Sequence, residues 1–193
     1  MSRPSFWTRW ASPDGTLPAG TRAFAWPLSL VLGALIVAVS AQVALPVPFS
    51  PVPMTLQGLA VIAVGGLFGA AAGTGALVLY LVAGVLGAPV FSMGGSGLVR
   101  LLGPTGGYLL AFPVAALVAG KLGERGNLLR SLGASLLAMV VIHLGGWAWL
   151  AAGLGGAQAA TVGVAPFVVQ DSLKVLLGAV VLWRAQHAFH PNT

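Results

Sequence analysis

The chain has 193 residues and a net charge of +6; 58% of the residues are apolar and only 6% are charged, against roughly 25% charged in ordinary globular domains. Between Arg22 and Arg100 lie 77 residues without one Asp, Glu, Lys or Arg, and no water-soluble surface can be built from such a stretch. A soluble domain is excluded; the basic excess reads as a topology signal, with no nucleic-acid motif beside it; and the lack of cysteine removes disulfides, thiol catalysis and Cys-based metal sites.

Residues 1–25 mix polar and aromatic side chains, including Arg3, Trp7, Arg9, Trp10 and Arg22, and read as an interfacial N-terminal tail. A first span starts near Trp26 and Pro27 and ends at PVPFSPVP, residues 46–53, where alternate prolines favour an extended loop. Residues 54–88 are too long for one span and too apolar for anything else, so the glycine and alanine cluster at 65–75 is expected to divide them into two short spans. A Gly-rich loop with Pro89 and Pro104 follows, then a fourth span from about Thr105 to Gly120 and a polar connection from Lys121 to Arg130. A fifth span is expected at about 131–152, a Gly/Ala connection after it, and a sixth span at about 165–186. The reading is an all-α membrane protein of six transmembrane helices, with its membrane domain at 26–187 and a C-terminal tail at 188–193.

Six spans put both ends of the chain on one side, and the positive-inside rule tests that count. Arg3, Arg9, Arg22, Lys121, Arg125, Arg130 and Arg184, seven of the nine basic residues, fall on the terminal side. The loops assigned outside at 45–54 and 154–164 carry no charge, and the remaining outer loop holds only Arg100. Both termini are therefore expected in the cytoplasm. A cleavable signal peptide ending at Val39-Ser40-Ala41 would leave five spans and spoil this arrangement.

Asp14 falls in the tail and Glu124 in a cytoplasmic loop, so the charges that topology does not absorb are Arg100, Asp171 and Lys174. The i, i+3 spacing of Asp171 and Lys174 puts both on one face of the sixth span. A charge within a span costs roughly 2.5–3.5 kcal/mol on insertion scales and faces the bundle interior or a cavity. The bland reading is a self-neutralising ion pair between helices. The functional reading is a pocket open to the outside, in which Asp171 accepts hydrogen bonds from ligand N–H groups and Lys174 faces an anionic group. Arg100, a planar fork suited to a carboxylate, sits in the charged outer loop FSMGGSGLVRLLGPTGGY. The ligand so outlined is small, with a carboxylate at one end, amide-like N–H groups at the other and an apolar body. Phe91, Met93, Tyr108 and Trp147 are candidate apolar walls, and the amide of Gln57 either serves the same pocket or bridges helices.

The segments PVPMTLQ at 51–57, LYLVAGVLGAPVF at 79–91, LLGPTGGYLLAF at 101–112 and QDSLK at 170–174 together resemble the BioY family, the biotin-binding substrate components of energy-coupling factor (ECF) transporters. The similarity covers about residues 27–187, and LGPTGGY after a Gly-rich loop is its most specific part. The resemblance implies the ECF S-component fold and a biotin site near the outer face, closed by the loop after the first span. It also implies that an Asp and a Lys of the sixth span contact the ligand. Asp171 and Lys174 match those two positions, and Arg100 matches a family contact on the carboxylate side. Biotin fits the independent outline, having a valerate carboxylate, a ureido ring with two N–H groups and an apolar thioether body. A pocket asparagine used by some members has no match, since the only asparagines are Asn127 and Asn192; Ser92 and Ser96 are candidates to replace it. The resemblance further implies an ECF transmembrane coupling subunit docked on the first span through small residues spaced by four, matched by Ala34 and Ala38. No phosphate-binding G-x-x-x-x-G-K-[ST] occurs in the chain, so ATPase subunits would be separate chains. No cofactor and no metal are expected.

Two rival functions have footholds. Gly94-Gly95-Ser96-Gly97 satisfies the G-x-S-G pattern of rhomboid-type intramembrane proteases with His143 as a possible base, although Trp147 stands where a packing glycine is expected. A self-sufficient proton-coupled carrier would use Asp171 and His143 as titrating groups, but no inverted repeat is apparent.

Overall fold

The computed structural model describes residues 19–123 and 127–189. The expected tail through residue 18, with Arg3, Arg9 and Asp14, lies outside the described residues, as do Glu124, Arg125, Asn192 and the side chain of Arg22.

Helix α1 (Ala19–Gln42) leads into a minimal antiparallel hairpin, β1 (Ala44–Leu45) and β2 (Met54–Thr55), in the register Ala44 to Thr55 and Leu45 to Met54. Helices α2 (Gln57–Val85), α3 (Leu98–Leu102), α4 (Gly106–Gly123), α5 (Leu128–Leu154), α6 (Gly156–Gly163) and α7 (Val168–Phe189) follow, with single 3-10 turns at Ser92–Gly94 and Ala165–Phe167. Among the described residues, five helical stretches are long and apolar enough to cross a membrane. They make six crossings, because α2 folds back on itself.

The reversal is at Gly69, whose φ of 79° and ψ of 168° belong to a region open essentially to glycine. Its consequence is measurable at the far ends of the helix. The Gln57 side chain donates from Nε2 to the Tyr80 hydroxyl at 2.8 Å, whereas 23 residues of straight helix would separate them by roughly 35 Å. The division expected in the 65–75 cluster therefore falls at one residue within it. Gln57 to Phe68, the first limb, rises only about 18 Å, well short of the ~30 Å hydrocarbon layer. The hairpin and its proline loop supply the remaining depth. Non-helical backbone is tolerated at such depth where it pairs internally and lines a cavity, and both conditions hold here.

Three boundaries differ from the sequence reading. α1 starts at Ala19 and carries Pro27 inside it; its apolar portion is Phe24–Gln42, and membrane helices accommodate an internal proline, as α4 does at Pro113. The Gly/Ala connection forms the short helix α6 after Gly155 turns the chain at φ 81°, since alanine is the strongest helix former. The Gly-rich loop contains α3 and the turn at Ser92–Gly94. α5 starts where it does because Asn127 caps it, its side chain accepting from the Arg130 N–H at 3.1 Å.

α2 packs chiefly on α4 and α1, α4 on α5, and α5 on α7. At the end of the bundle where α4 finishes and α5 starts, the contacts are between backbones. A Cβ on Gly65 would collide with the Ala116 carbonyl, and one on Gly120 would lie 2.5 Å from the Ala70 backbone. Such small-residue contacts let helices approach closely without any hydrophobic drive from lipid.

Candidate functional site

At the opposite end, where α1 finishes and α7 starts, the helices diverge around an open-mouthed cavity. Each wall is one face of one helix. Thr105, Tyr108, Leu109 and Phe112 come from the start of α4, Met139, Ile142 and His143 from α5, and Phe167, Gln170, Asp171 and Lys174 from the entry to α7. All three sets follow the i, i+3, i+4 spacing of a helical stripe. The hairpin contributes Val52, Pro53 and Thr55, α2 contributes Gln57 and Gly58, and the Gly-rich loop contributes Ser92.

Asp171 is the polar centre. Its Oδ1 accepts from Lys174 Nζ at 2.6 Å and its Oδ2 meets His143 Nε2 at 2.8 Å, and Asp171 and Lys174 are both buried. Its place in the first turn of α7 also sets the carboxylate in the favourable field of a helix N-terminus. Lys174 thus finds its anion in Asp171, one turn away on the same helix. A carboxylate offers about four lone-pair positions, and these two partners leave room for a ligand donor. His143 stands between Tyr108 and Phe167, with ring centroids 6.4 Å from each. The Tyr108 hydroxyl donates to the Gly163 carbonyl at 2.6 Å, fixing that ring as a wall.

Of the residues singled out in the sequence, Asp171, Lys174, Gln57, Tyr108 and Ser92 come together on the cavity. Arg100, Met93, Ser96 and Trp147 do not line it. The Arg100 guanidinium lies over Gly95, where a Cβ would be 2.8 Å from its Cζ. Met93 is exposed at a positive φ of 59°, and Trp147 turns sideways to donate to the Gly156 carbonyl at 3.0 Å. Phe91 is buried edge-on against Tyr80, with centroids 5.4 Å apart. Ala38 is buried in the core and Ala34 packs against it, so this face of α1 turns inward.

His143, Gln170, Thr55 and Thr105 are polar lining residues beyond those that the sequence reading places in the pocket. Gln170 stood inside the quoted QDSLK segment, and the stripe Phe167, Gln170, Asp171, Lys174 was available from spacing alone. His143 is an apolar-span histidine whose partner is 28 residues away, a distance no local pattern reports.

Two covers close the cavity. The proline loop is tied to the end of α6 by Ser50 Oγ donating to the Val162 carbonyl at 2.6 Å. The Gly-rich loop is held to α1 by Gln42, whose Nε2 donates to the Phe91 carbonyl at 3.3 Å and whose Oε1 accepts from the Gly94 N–H at 3.0 Å.

Fold and site together define a multi-pass helical membrane protein with a solute-sized chamber near one membrane face. Residues 19–191 match the model of the BioY family. The chain is 41% identical to the "Probable biotin transporter BioY" of Pyrococcus horikoshii over 148 residues, which is 77% of this chain and 88% of that protein. It is 34% identical to the "Biotin transporter BioY" of Rhizobium etli, over 80% of this chain and 88% of that one. The chain belongs to the BioY family, whose members are membrane transport components and not enzymes. Its fold is that of the crystal structure of the S-component for biotin from an ECF-type ABC transporter, with TM-score 0.78 and 23% identity, covering 88% of this chain and 94% of the other. The geometry agrees, since Ser96 does not line the cavity that His143 lines.

Proposed function

We propose that this chain binds biotin in the chamber between α4, α5 and α7 and delivers it across the prokaryotic plasma membrane, acting as the substrate-specificity component of an ECF-type ATP-driven transporter. The observation that carries the reading is the buried Asp171, held between Lys174 and His143 in an otherwise largely apolar chamber, in a chain whose relatives are named as biotin transporters. Asp171 accepts from a ureido N–H, and Tyr108, Phe112, Ile142 and Phe167 enclose the bicyclic body. The valerate arm runs toward the mouth, where Ser92 lines the opening and Arg100, over Gly95, receives the carboxylate; Ser96, Met93 and Trp147 belong to the rim around it. The chain ends face the cytoplasm, with Lys121, Arg130 and Arg184 at that end. A coupling subunit docks on the chain, with Ala38 in the core and the half-buried Ala34 packed against it leaving little of this pair to contact, and the ATPases are separate chains.

The test is equilibrium binding of labelled biotin to the purified protein, beside Asp171→Asn and Lys174→Ala. Tight binding by the parent and a loss of about 100-fold or more in both variants is expected; no binding by the parent would overturn the ligand assignment. Uptake into vesicles only when coupling and ATPase subunits are co-reconstituted separates this function from a self-sufficient carrier.

A further inference from the structure

Buried polar groups in native proteins are overwhelmingly hydrogen-bonded, so those without a partner mark places where something else is meant to bind. Among the described residues three buried side-chain polar atoms have no protein hydrogen bond: Ser135 Oγ, His143 Nδ1 and Gln170 Nε2. Ser135 does not line the cavity. The other two do, His143 on α5, bonded to Asp171, and Gln170 on α7. Their chemistry is complementary. Asp171 is an acceptor, so the proton of His143 lies on Nε2, and in neutral imidazole this leaves Nδ1 as a bare acceptor. Gln170 Nε2 is a donor only. Beside Lys174, which donates to Asp171, the wall therefore offers two acceptors, the remaining lone pairs of Asp171 and His143 Nδ1, and an unpartnered donor in Gln170. A cyclic urea presents the inverse set, two N–H donors flanking one carbonyl oxygen.

Resting on the biotin reading above, we infer that Gln170 is a specificity-determining residue that donates from Nε2 to the ureido oxygen, with His143 Nδ1 and Asp171 taking the two N–H groups. The amide selects for the ring carbonyl because a ligand lacking a good acceptor there leaves a buried donor unpaired, and that loss is felt in full. A group kept for a ligand has the opposite effect on the unliganded fold. Gln170→Leu, close in volume and without polar atoms, removes an unpaired buried donor and leaves the empty protein as stable as the parent or more so.

The test measures biotin and 2-thiobiotin, whose sulfur accepts hydrogen bonds poorly, against the full-length parent and Gln170→Leu, with ligand-free thermal unfolding of both proteins in detergent. The expected result is that the parent prefers biotin to 2-thiobiotin by about 10-fold, and that Gln170→Leu binds biotin about 10-fold more weakly, discriminates less than about 2-fold and melts no lower. An unchanged preference in Gln170→Leu, or a lower melting temperature with the preference kept, overturns the assignment and makes Gln170 a packing residue. If Gln170→Leu fails to fold, Gln170→Met gives the same readout with a more flexible chain. Failure of the parent to bind either compound instead overturns the biotin reading, and the role of Gln170 falls with it.

Discussion

The two ends of the bundle differ in whether their glycines also make room for aromatic rings. At the inner end glycines face backbone: Gly65 meets Ala116, Gly120 meets Ala70, and Gly73 meets Gly65. At the outer end two of them face rings, Gly84 receiving the flat of Phe91 and Gly146 that of Tyr108, while Gly106 and Gly107 meet the backbone of Leu101 and Gly145. Backbone contact brings helix axes as close as they can come and leaves no space between them. Ring contact holds the axes apart by the thickness of a side chain and lets the helices splay. Where Gly84 and Gly146 take rings in place of backbone, the bundle has room for the chamber that the inner end lacks.

The sharpest way to break this contrast is at the charges. Asp171→Leu leaves Lys174 buried without its anion, and removing one partner of a buried pair costs about 3–5 kcal/mol. The double variant Asp171→Leu/Lys174→Met removes both charges and is expected to recover most of that stability while remaining unable to bind ligand. Equilibrium unfolding in mixed micelles decides it: a single variant no less stable than the double would show that the pair does not hold the outer end together.

The next effect separates the two ends directly. Gly65→Val drives a branched side chain into the Ala116 backbone, which cannot yield as a side chain can, and a loss of about 3 kcal/mol or more is expected. Gly146→Ala meets the Tyr108 ring, a side chain that can yield where backbone cannot, though only by straining its bond to the Gly163 carbonyl. It is expected to cost about 1 kcal/mol of stability and to reduce affinity about 10-fold. Equal stability losses for the two variants would erase the distinction between the ends.

A smaller effect lies in the outer cover. The proline loop is fixed to α6 by the single side-chain bond from Ser50 to Val162, and Ser50→Ala removes a hydrogen bond of about 1 kcal/mol net. Ligand release measured by stopped flow should quicken by about 5-fold with little change in association. An unchanged release rate would mean that the loop is held by the burial of Val47 and Val52 alone.

Much of this was legible in the sequence because a bilayer imposes a simple code. Length and charge gave six crossings, the basic residues gave an orientation, and the leftover charges gave Asp171 and Lys174. The reversal in α2 was legible as a region and not as a residue, since any of several glycines in 65–75 could carry a positive φ and only packing selects Gly69. What the sequence could not report was contact between distant helices. Gln57 was visible as a polar residue at a span entrance, but its bond to Tyr80 exists only because the chain doubles back. His143 reads from the sequence as a possible catalytic base or proton carrier, and its bond to Asp171 across the bundle is invisible to any local pattern. Met93 and Trp147 were read as walls from residue type alone, whereas one lies exposed at the loop tip and the other seals the start of α6.

The smallest expected effect concerns the mouth, where the outer end meets water. Arg100 lies over Gly95 and is partly exposed, so its attraction for a ligand carboxylate is screened and worth at most about 1 kcal/mol, or about 5-fold in affinity. The loss in Arg100→Glu should therefore be modest for biotin, larger at low salt than at 0.5 M, and absent for biotin methyl ester, which carries no charge to attract. The ester control also separates charge from packing, because a collapsed Gly-rich loop would weaken both ligands alike. A loss of 100-fold or more for biotin alone would instead place the guanidinium inside a desolvated chamber with the ligand bound. The cover formed by the Gly-rich loop would then have to move inward over the carboxylate, carrying Arg100 with it.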